Sequence, residues 1–276
     1  MSPPPETGTS TTAAWQPPRG NFFADTWANF KRWTRKLARQ PTVIGGMVFQ
    51  PIAWVILFTQ VFQNVVGLRE FESESYLEFF LPAVILFLAP FAAIAAGINL
   101  VEDIESGMFE KILATPMSRT AVFLGKTFAD LLRVVVQSLI IVVLGYAIGA
   151  RFEAGLLGAL GMIGVALLVG VLFLGGSTMV GLYTQNSDAL QTVLQAVLFP
   201  LIFLSSAFMP LELLPAWVQF VATINPITYG IDAARAIMLR GWVWEVILPP
   251  VGVLVALDIV FGAGAVYMLN RATKSR

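Results

Sequence analysis

Cysteine and histidine are both missing from this 276-residue chain. Without cysteine there is no disulfide, no thiol nucleophile and no cysteine ligand for a metal ion. Without histidine the commonest general base and the usual zinc ligand are missing as well. We therefore assign no catalytic, cofactor-binding or metal-binding residue to this chain, and we expect that it is not an enzyme.

Charged residues are scarce, at 12% of the chain, whereas a soluble domain carries about 25%. The 17 basic and 17 acidic side chains cancel, so the chain has no electrostatic footprint for nucleic acid. Hydrophobic residues make up 57% of the sequence. This composition indicates a polytopic membrane protein.

Long apolar stretches recur along the chain, and a spanning helix needs about 20 mostly apolar residues. The third stretch is too long for one crossing, so we expect its first turns, with Lys126, Asp130 and Arg133, to protrude into the cytoplasm. We predict an all-α membrane protein whose domain, residues 41–276, contains six transmembrane helices. They lie at about 43–66, 77–101, 121–150, 155–183, 189–209 and 246–269.

Basic residues near the ends of the spans predict the orientation, because they concentrate on the cytoplasmic side. The loop 67–78 has one arginine and four glutamates, which suits the outside. The segments before the first span and after the sixth are basic. We therefore place both termini in the cytoplasm of a multi-pass protein of the plasma membrane. The basic residues are Lys31, Arg32, Arg35, Lys36 and Arg39 before the first span, and Arg271, Lys274 and Arg276 after the sixth.

The region before the first span has two parts. Residues 1–20 are rich in proline and threonine and predict a disordered cytoplasmic tail. Residues 21–40 place Phe23, Trp27 and Phe30 on one helical face, with basic residues largely elsewhere. That pattern predicts an amphipathic helix in the membrane interface, the alternative being a solvated basic linker.

A charged segment, residues 102–119, separates the second and third spans. Ile104, Met108 and Ile112 share one helical face, charged side chains fill the rest, and Pro116 ends the pattern. Apolar contacts for a groove together with charges for alignment are typical of a helix that docks on a soluble partner. An ordinary cytoplasmic hairpin is equally compatible with these residues.

Residues 210–230 are too polar and too broken by proline for a span, yet too apolar for a free loop. Trp217, Phe220 and Ile224 recur at helical spacing. We predict short re-entrant helices that enter the outer leaflet and return before the last span. Irregular backbone at that depth has to pack against protein or line a wet cavity.

Few polar groups lie inside the predicted spans. Asp258, midway along the sixth span, is the deepest charge, and an intramembrane carboxylate is a candidate functional group. Contact with a cationic cargo, proton uptake and a hydrogen bond to a neighbouring helix all remain open for it. Together with Asp258, the candidate pathway residues are Phe49 and Gln50 of the first span and Phe199 and Phe203 of the fifth.

Two motifs carry a resemblance to a known family. The run Gly-Met-Phe-Glu-Lys-Ile-Leu-Ala-Thr-Pro-Met-Ser-Arg (107–119) resembles the cytoplasmic loop of type-2 ATP-binding-cassette export permeases. The run Leu-Pro-Ala-Trp-Val-Gln-Phe (214–220), followed by Asn-Pro-Ile-Thr-Tyr (225–229) and Asp-Ala-Ala-Arg (232–235), resembles the segment before that family's last span. Within the family, the daunorubicin-resistance permeases are the most similar.

The resemblance implies roles for both segments. Two permease chains, here a homodimer, would work with two ATPase subunits, which bind ATP and magnesium. Residues 21–40 would also touch the ATPase. The residues implied to contact the ATPase are Glu102, Asp103, Glu105, Met108, Phe109, Glu110, Ile112 and Pro116, and those of the outer re-entrant cap are Pro215, Trp217, Asn225, Pro226 and Tyr229.

The residues independently require a separate motor. Gly125-Lys126-Thr127 imitates the end of a phosphate-binding loop, but position 120 is threonine where the leading glycine belongs. We therefore predict the permease subunit of an ATP-driven exporter of amphipathic or hydrophobic small molecules. Polysaccharide, glycolipid or sodium export within the same family are alternatives, and a passive channel or membrane scaffold is an alternative of another class.

Overall fold

The computed structural model describes residues 21–39, 41–64, 73, 75–106 and 119–274. Within these ranges the chain forms nine α-helices and one short 3-10 turn, and no strand, so the all-α prediction is confirmed there. The helices are α1 (Phe22–Ala38), α2 (Pro41–Phe62), α3 (Tyr76–Glu105), α4 (Arg119–Ile148), α5 (Gly155–Thr184), α6 (Ser187–Phe203), α7 (Ala216–Ile224), α8 (Pro226–Arg240) and α9 (Trp244–Lys274), and the 3-10 turn is Leu211–Leu213.

Helix α3 forms the centre of the bundle. Between Phe79 and Ile98 its side chains are apolar on every face, a pattern that suits a helix surrounded by other helices. Phe80, Ile85 and Phe87 are completely buried. Helices α2, α4, α5, α6 and α8 all pack against it, so α3 positions most of the other elements.

Small residues allow α3 and α5 to approach closely. A Cβ atom on Gly97 would lie 2.9 Å from the side chain of Ser177. The hydroxyl of Ser177 donates a 2.9 Å hydrogen bond to the carbonyl oxygen of Ala93. A small residue on one helix and a hydroxyl on the other are typical of helix contacts inside membranes.

Among the residues that the structure describes, four helices are long and apolar enough to cross a membrane: Tyr76–Glu102, Leu124–Ile148, Gly155–Thr184 and Trp244–Met268. The apolar part of α2, Val48–Phe62, and the whole of α6, Ser187–Phe203, are shorter. The chain is therefore a membrane protein with several apolar helices. That α2 and α6 also cross the bilayer remains a prediction.

The outer helices of the bundle have different neighbours. Helix α1 packs mainly against α4 and α2 packs against α3 and α4, whereas α9 packs against α5 and α8. Most of α9 is exposed in the single chain. These neighbours decide which of the candidate residues meet.

Candidate functional site

Asn225 forms the corner between α7 and α8. Its side-chain oxygen accepts a hydrogen bond from the backbone N–H of Ile227 at 3.0 Å, which caps α8, and Pro226 occupies the first helical position. Its Nδ2 donates to the carbonyl oxygens of Leu201 at 2.6 Å and Leu204 at 3.0 Å. A single buried amide therefore caps one helix and binds the end of α6.

Helix α8 runs from the interior of the bundle toward one end. A Cβ atom on Gly230 would lie 2.7 Å from Val169, which is near the middle of α5, and 3.1 Å from Leu86 of α3. At the other end of α8, the carbonyl oxygen of Met238 accepts a hydrogen bond from Glu153, in the connection between α4 and α5. The α7–α8 corner thus lies well inside the bundle.

The other residues of the predicted outer cap fall into two groups. The hydroxyl of Tyr229 donates a 2.6 Å hydrogen bond to the carbonyl oxygen of Thr223, so Tyr229, like Asn225, joins α7 to α8. Pro215 and Trp217 lie at the start of α7 and point outward, with Trp217 63% exposed. The first group stabilises the corner, and the second is available to lipid or another chain.

Arg235, the last residue of the Asp-Ala-Ala-Arg motif, to which we gave no role from the sequence alone, is the central residue of a polar network. Its Nη2 donates to the carbonyl oxygen of Ser206 at 2.7 Å, and its Nε donates to that of Phe79 at 3.3 Å. Asp232, one turn earlier, lies 3.6 Å from Nη1 and accepts a 2.6 Å hydrogen bond from the Ser206 hydroxyl. The network joins α8, the start of α3 and the segment after α6. The available sequence signal was an acid and a base three residues apart in an otherwise apolar helix.

Glu105, a predicted ATPase contact, joins the end of α3 to the start of α6. Its Oε1 accepts a 3.1 Å hydrogen bond from the backbone N–H of Ser187, and its Oε2 accepts one of 3.2 Å from the Ser187 hydroxyl. Glu102, one turn earlier, is exposed. The remaining predicted contacts lie outside the described residues, or have side chains outside them in the case of Asp103: Asp103, Met108, Phe109, Glu110, Ile112 and Pro116.

Helix α1 crosses α4 at Gly125. A Cβ atom there would lie 2.5 Å from the carbonyl oxygen of Thr26 and 2.7 Å from the Cβ of Asn29, so only glycine fits. Elsewhere on α1, Phe23 and Trp27 are 79% and 60% exposed. One face of the predicted interfacial helix therefore contacts the bundle, and its aromatic face is left open.

Lys126, next to this crossing, is buried. Its Nζ donates a 3.1 Å hydrogen bond to the carbonyl oxygen of Ala96 on α3 and lies 4.9 Å from the ring centre of Trp33 on α1. That the first turns of α4, with Lys126, Asp130 and Arg133, extend into the cytoplasm remains a prediction. The lysine binds three helices together, because α3 offers it a carbonyl oxygen and α1 an aromatic face.

Polar residues continue along α4 on the face that carries Lys126. Asp130, Arg133 and Gln137 follow it at intervals of four, three and four residues, which places all four on one side of a helix. Lys126 and Gln137 are buried, and Oδ2 of Asp130 and Nε of Arg133 are buried atoms without a hydrogen-bond partner. This polar stripe faces other helices rather than solvent.

A cavity of about 250 Å³ lies between α2, α3 and α4 beside this stripe. Trp54 forms edge contacts with Phe87 and Phe91, with ring centres 6.0 and 5.9 Å apart, and these three rings line one wall. The polar lining residues are Gln50, Arg133 and Gln137. Gln50, which we selected as a pathway residue, is exposed and lies at the mouth.

The other pathway candidates lie at different places in the single chain, and their role in a pathway remains a prediction. Phe49, Phe199 and Phe203 are 73%, 45% and 59% exposed, so all three face outward from the single chain. The ring of Phe199 contacts that of Phe91, which also lines the cavity. Asp258 lies on α9, which packs against α5 and α8, and so is not brought to Gln50 on α2.

The comparisons with known proteins all give transporters or transport permeases. The family model described as ABC-2 type transporter matches residues 24–239. A daunorubicin resistance ABC transporter permease protein of Streptomyces coeruleorubidus is 27% identical over 230 residues, covering 83% of this chain and 80% of that protein. A probable doxorubicin resistance ABC transporter permease protein of Mycobacterium tuberculosis is 26% identical over 236 residues, covering 85% and 83%. A putative transport permease of Cyanophora paradoxa is 26% identical over 217 residues, covering 78% and 74%.

Proposed function

Because this chain belongs to the ABC-2 type transporter family, we propose that it is the membrane-spanning permease subunit of an ATP-driven exporter. A separate ATPase subunit would power it, and its cargo would be amphipathic or hydrophobic small molecules. The observation that carries the proposal is a match over residues 24–239, which include both the 102–119 and 210–230 segments. Relatives named for daunorubicin and doxorubicin resistance support the class of cargo.

The proposed topology has six spans, formed by α2, α3, α4, α5, α6 and α9, with both termini in the cytoplasm of a plasma-membrane protein. Four of these helices have the length and composition of spans, and α2 and α6 contain shorter apolar stretches of the same character. Helices α7 and α8 would be the re-entrant pair. The contacts of Gly230 with the interior of α3 and α5 support this assignment.

The ATPase is proposed to dock on residues 102–119 and on α1. Two contacts connect this docking surface to the proposed spans. Helix α1 lies against α4 at Gly125, and Glu105 at the end of α3 holds the first residue of α6, Ser187. Closure of two ATPases around ATP and magnesium would supply motion at these surfaces, and α4 and α6 would move with α1 and α3.

The working unit is proposed to contain two copies of this permease chain and two ATPases. The exposed aromatic side chains Phe49 on α2 and Phe199 and Phe203 on α6 would face the second permease or the cargo between the two. Aromatic surface with few charges suits a flat, hydrophobic cargo. The same surface would lie against lipid if the chain worked as a monomer.

Affinity purification of the tagged chain from gently solubilised native membranes tests the proposal, with co-purifying proteins identified by mass spectrometry. We expect a near-stoichiometric soluble ATPase that carries a phosphate-binding loop. An unrelated polytopic protein with the same tag is the control. A clean preparation without an ATPase in several detergents would favour a passive channel or scaffold.

Export is tested separately by the accumulation of daunorubicin in cells with and without the permease and its ATPase. We expect lower accumulation only when both subunits are present. Unchanged accumulation of daunorubicin, together with a bound ATPase, would keep the motor-driven permease and overturn the cargo class, leaving glycan or sodium export to be tested.

A further inference from the structure

The cavity between α2, α3 and α4 lies near the middle of α3 and α4 and beside the first half of α2. Helix α1 crosses α4 at Gly125, and Arg133 follows eight residues later, about 12 Å along the helix. Gly46 and Gln50 on α2, both exposed, form its open side. If α1 lies in the cytoplasmic interface, as proposed above, the cavity opens toward the inner leaflet.

Arg133 is the charged group that lines this cavity. In the part of the chain that the structure describes, its buried Nε has no hydrogen-bond partner, and its guanidinium interacts electrostatically with Asp130, one turn earlier. A buried N–H without an acceptor is unfavourable, and an anion in the cavity would supply one. Among the described residues that line the cavity, those from α2 and α3 carry no charge.

The neighbouring charged residues on α4 sum to one positive charge. Asp130 lies one turn before Arg133 and Lys126 one turn before Asp130, so two cations flank one carboxylate. Lys126 is already bonded to the carbonyl oxygen of Ala96. The electrostatics therefore favour an anion over a cation beside Arg133.

The rest of the lining defines the body of the ligand. Gln50 and Gln137 bring carboxamide groups to the polar side, while Trp54, Phe87 and Phe91 offer aromatic surface. A volume of about 250 Å³ is below the roughly 300 Å³ at which drug-sized pockets begin. A cavity of this size suits an anionic head that carries one ring or a short chain. The remainder of the molecule would extend out of the mouth of the cavity, beyond Gln50.

We propose that this cavity binds the anionic head of an amphiphile, with Arg133 as the anion contact and Trp54, Phe87 and Phe91 packed against the adjoining apolar group. The proposal rests on the permease function above, in which it would be an inner-leaflet recognition site. Carboxylate or phosphate heads meet the requirement equally. The source is an anionic cargo molecule or an anionic lipid, and the test distinguishes them.

Trp54 provides a direct readout, because bromine quenches tryptophan fluorescence at contact distance. The full chain is placed in phosphatidylcholine nanodiscs and titrated with 4-bromobenzoate, with uncharged methyl 4-bromobenzoate as the matched probe. In a second arm, nanodiscs contain a fraction of phosphatidylglycerol with brominated acyl chains. The chain has seven tryptophans, so the fluorescence of the other six has to be subtracted. The quenching of Trp54 is the saturable part that is absent in Trp54→Phe.

We expect saturable quenching of Trp54 by the charged probe and weak, non-saturable quenching by the ester. Arg133→Gln should weaken binding of the charged probe about tenfold or more, since a charge-assisted hydrogen bond is lost. Arg151→Gln, in the exposed connection before α5, is the matched control and should bind normally. If Arg133→Gln does not fold, Arg133→Lys and the exposed Gln50→Leu take its place, each expected to weaken binding.

Each outcome decides one question. Quenching by 4-bromobenzoate supports a soluble anionic ligand, and quenching by brominated phosphatidylglycerol alone supports a lipid. Absence of Trp54 quenching in both arms, or equal affinity in the Arg133 and Arg151 variants, overturns the site. The assay contains no ATPase and measures no export, so its failure is separate from failure of the permease proposal.

Discussion

The guanidinium of Arg235 lies 3.8 Å from the ring centre of Phe79, and its Nε donates a hydrogen bond to the carbonyl oxygen of that residue, 156 positions away in sequence. Its Nη2 bonds the carbonyl oxygen of Ser206. One buried cation thus holds α8 against α3 and the segment after α6. If α7 and α8 form the outer cap, Arg235 fixes that cap to the bundle.

Arg235→Ala should lower the stability of the purified chain by about 3 kcal/mol or more, because two buried carbonyl oxygens lose their donor. The stability of Arg235→Lys should lie between that of the unsubstituted chain and that of Arg235→Ala, since an ammonium cannot reproduce the planar fork of donors. Thermal unfolding in detergent, followed by circular dichroism, measures the effect. Arg151→Ala, an exposed arginine, is the control; equal loss in both variants would contradict a specific role for Arg235.

Asn225→Asp separates two functions of one side chain. The carboxylate can still cap α8 by accepting from Ile227, but it cannot donate to the carbonyl oxygens of Leu201 and Leu204. We expect Asn225→Asp to be nearly as destabilising as Asn225→Ala, even though the aspartate keeps the cap. Loss of a cap alone costs about 1 kcal/mol. Asn186→Ala, which removes only the cap of α6, is the matched control. Full stability of Asn225→Asp in a thermal melt would show that the two donated hydrogen bonds matter little.

Much of this architecture was predictable from the sequence because each signal was local. Apolar stretches indicated the helices, the prolines around 210–226 indicated the break before α8, and the two motifs gave the family, which the match confirms. The inward polar face of α4 was not predictable. Charges early in a long apolar run indicate a solvated extension, and only the fold brings the carbonyl oxygen of Ala96, 30 residues away, to Lys126.

The contacts of Glu105 and Arg235 were missed for the same reason. Glu105 meets Ser187 across 82 positions, and no pattern in either segment names the other. Both contacts arise from the packing of other helices against α3. A single sequence carries no record of such pairs.

Gly125→Ala should displace α1 from α4, because the added Cβ would lie 2.5 Å from the backbone oxygen of Thr26, which cannot move independently of its helix. We expect a loss of about 1–3 kcal/mol, typical of overpacking. Gly164→Ala, on α5 with open space around it, should be neutral or slightly stabilising. Tryptic cleavage after the basic residues of α1, compared between the two variants, reports whether α1 has separated from the bundle.

Glu105 is either a contact for the ATPase or a link between two helices, and Ser187 distinguishes these roles. Glu105→Ala removes the carboxylate, whereas Ser187→Ala removes one of its two hydrogen bonds without touching the predicted docking surface. If the link transmits motion, both variants should retain the ATPase in pull-downs and lose part of their export activity. Loss of ATPase binding in Glu105→Ala alone would instead support docking.

Asp258 is the last candidate that a substitution can resolve. Its Oδ1 is buried and has no hydrogen-bond partner among the residues that the structure describes, so we expect it to contribute little to the stability of the fold. Asp258→Asn should leave the melting temperature unchanged or raise it, because removing an uncompensated charge from an apolar environment is favourable. A matched change, Glu245→Gln at the exposed start of α9, should have no effect. A clear fall in melting temperature would identify an interhelical bond. Unchanged stability with weaker export of cationic daunorubicin, but not of a neutral analogue, would place Asp258 in contact with the cargo.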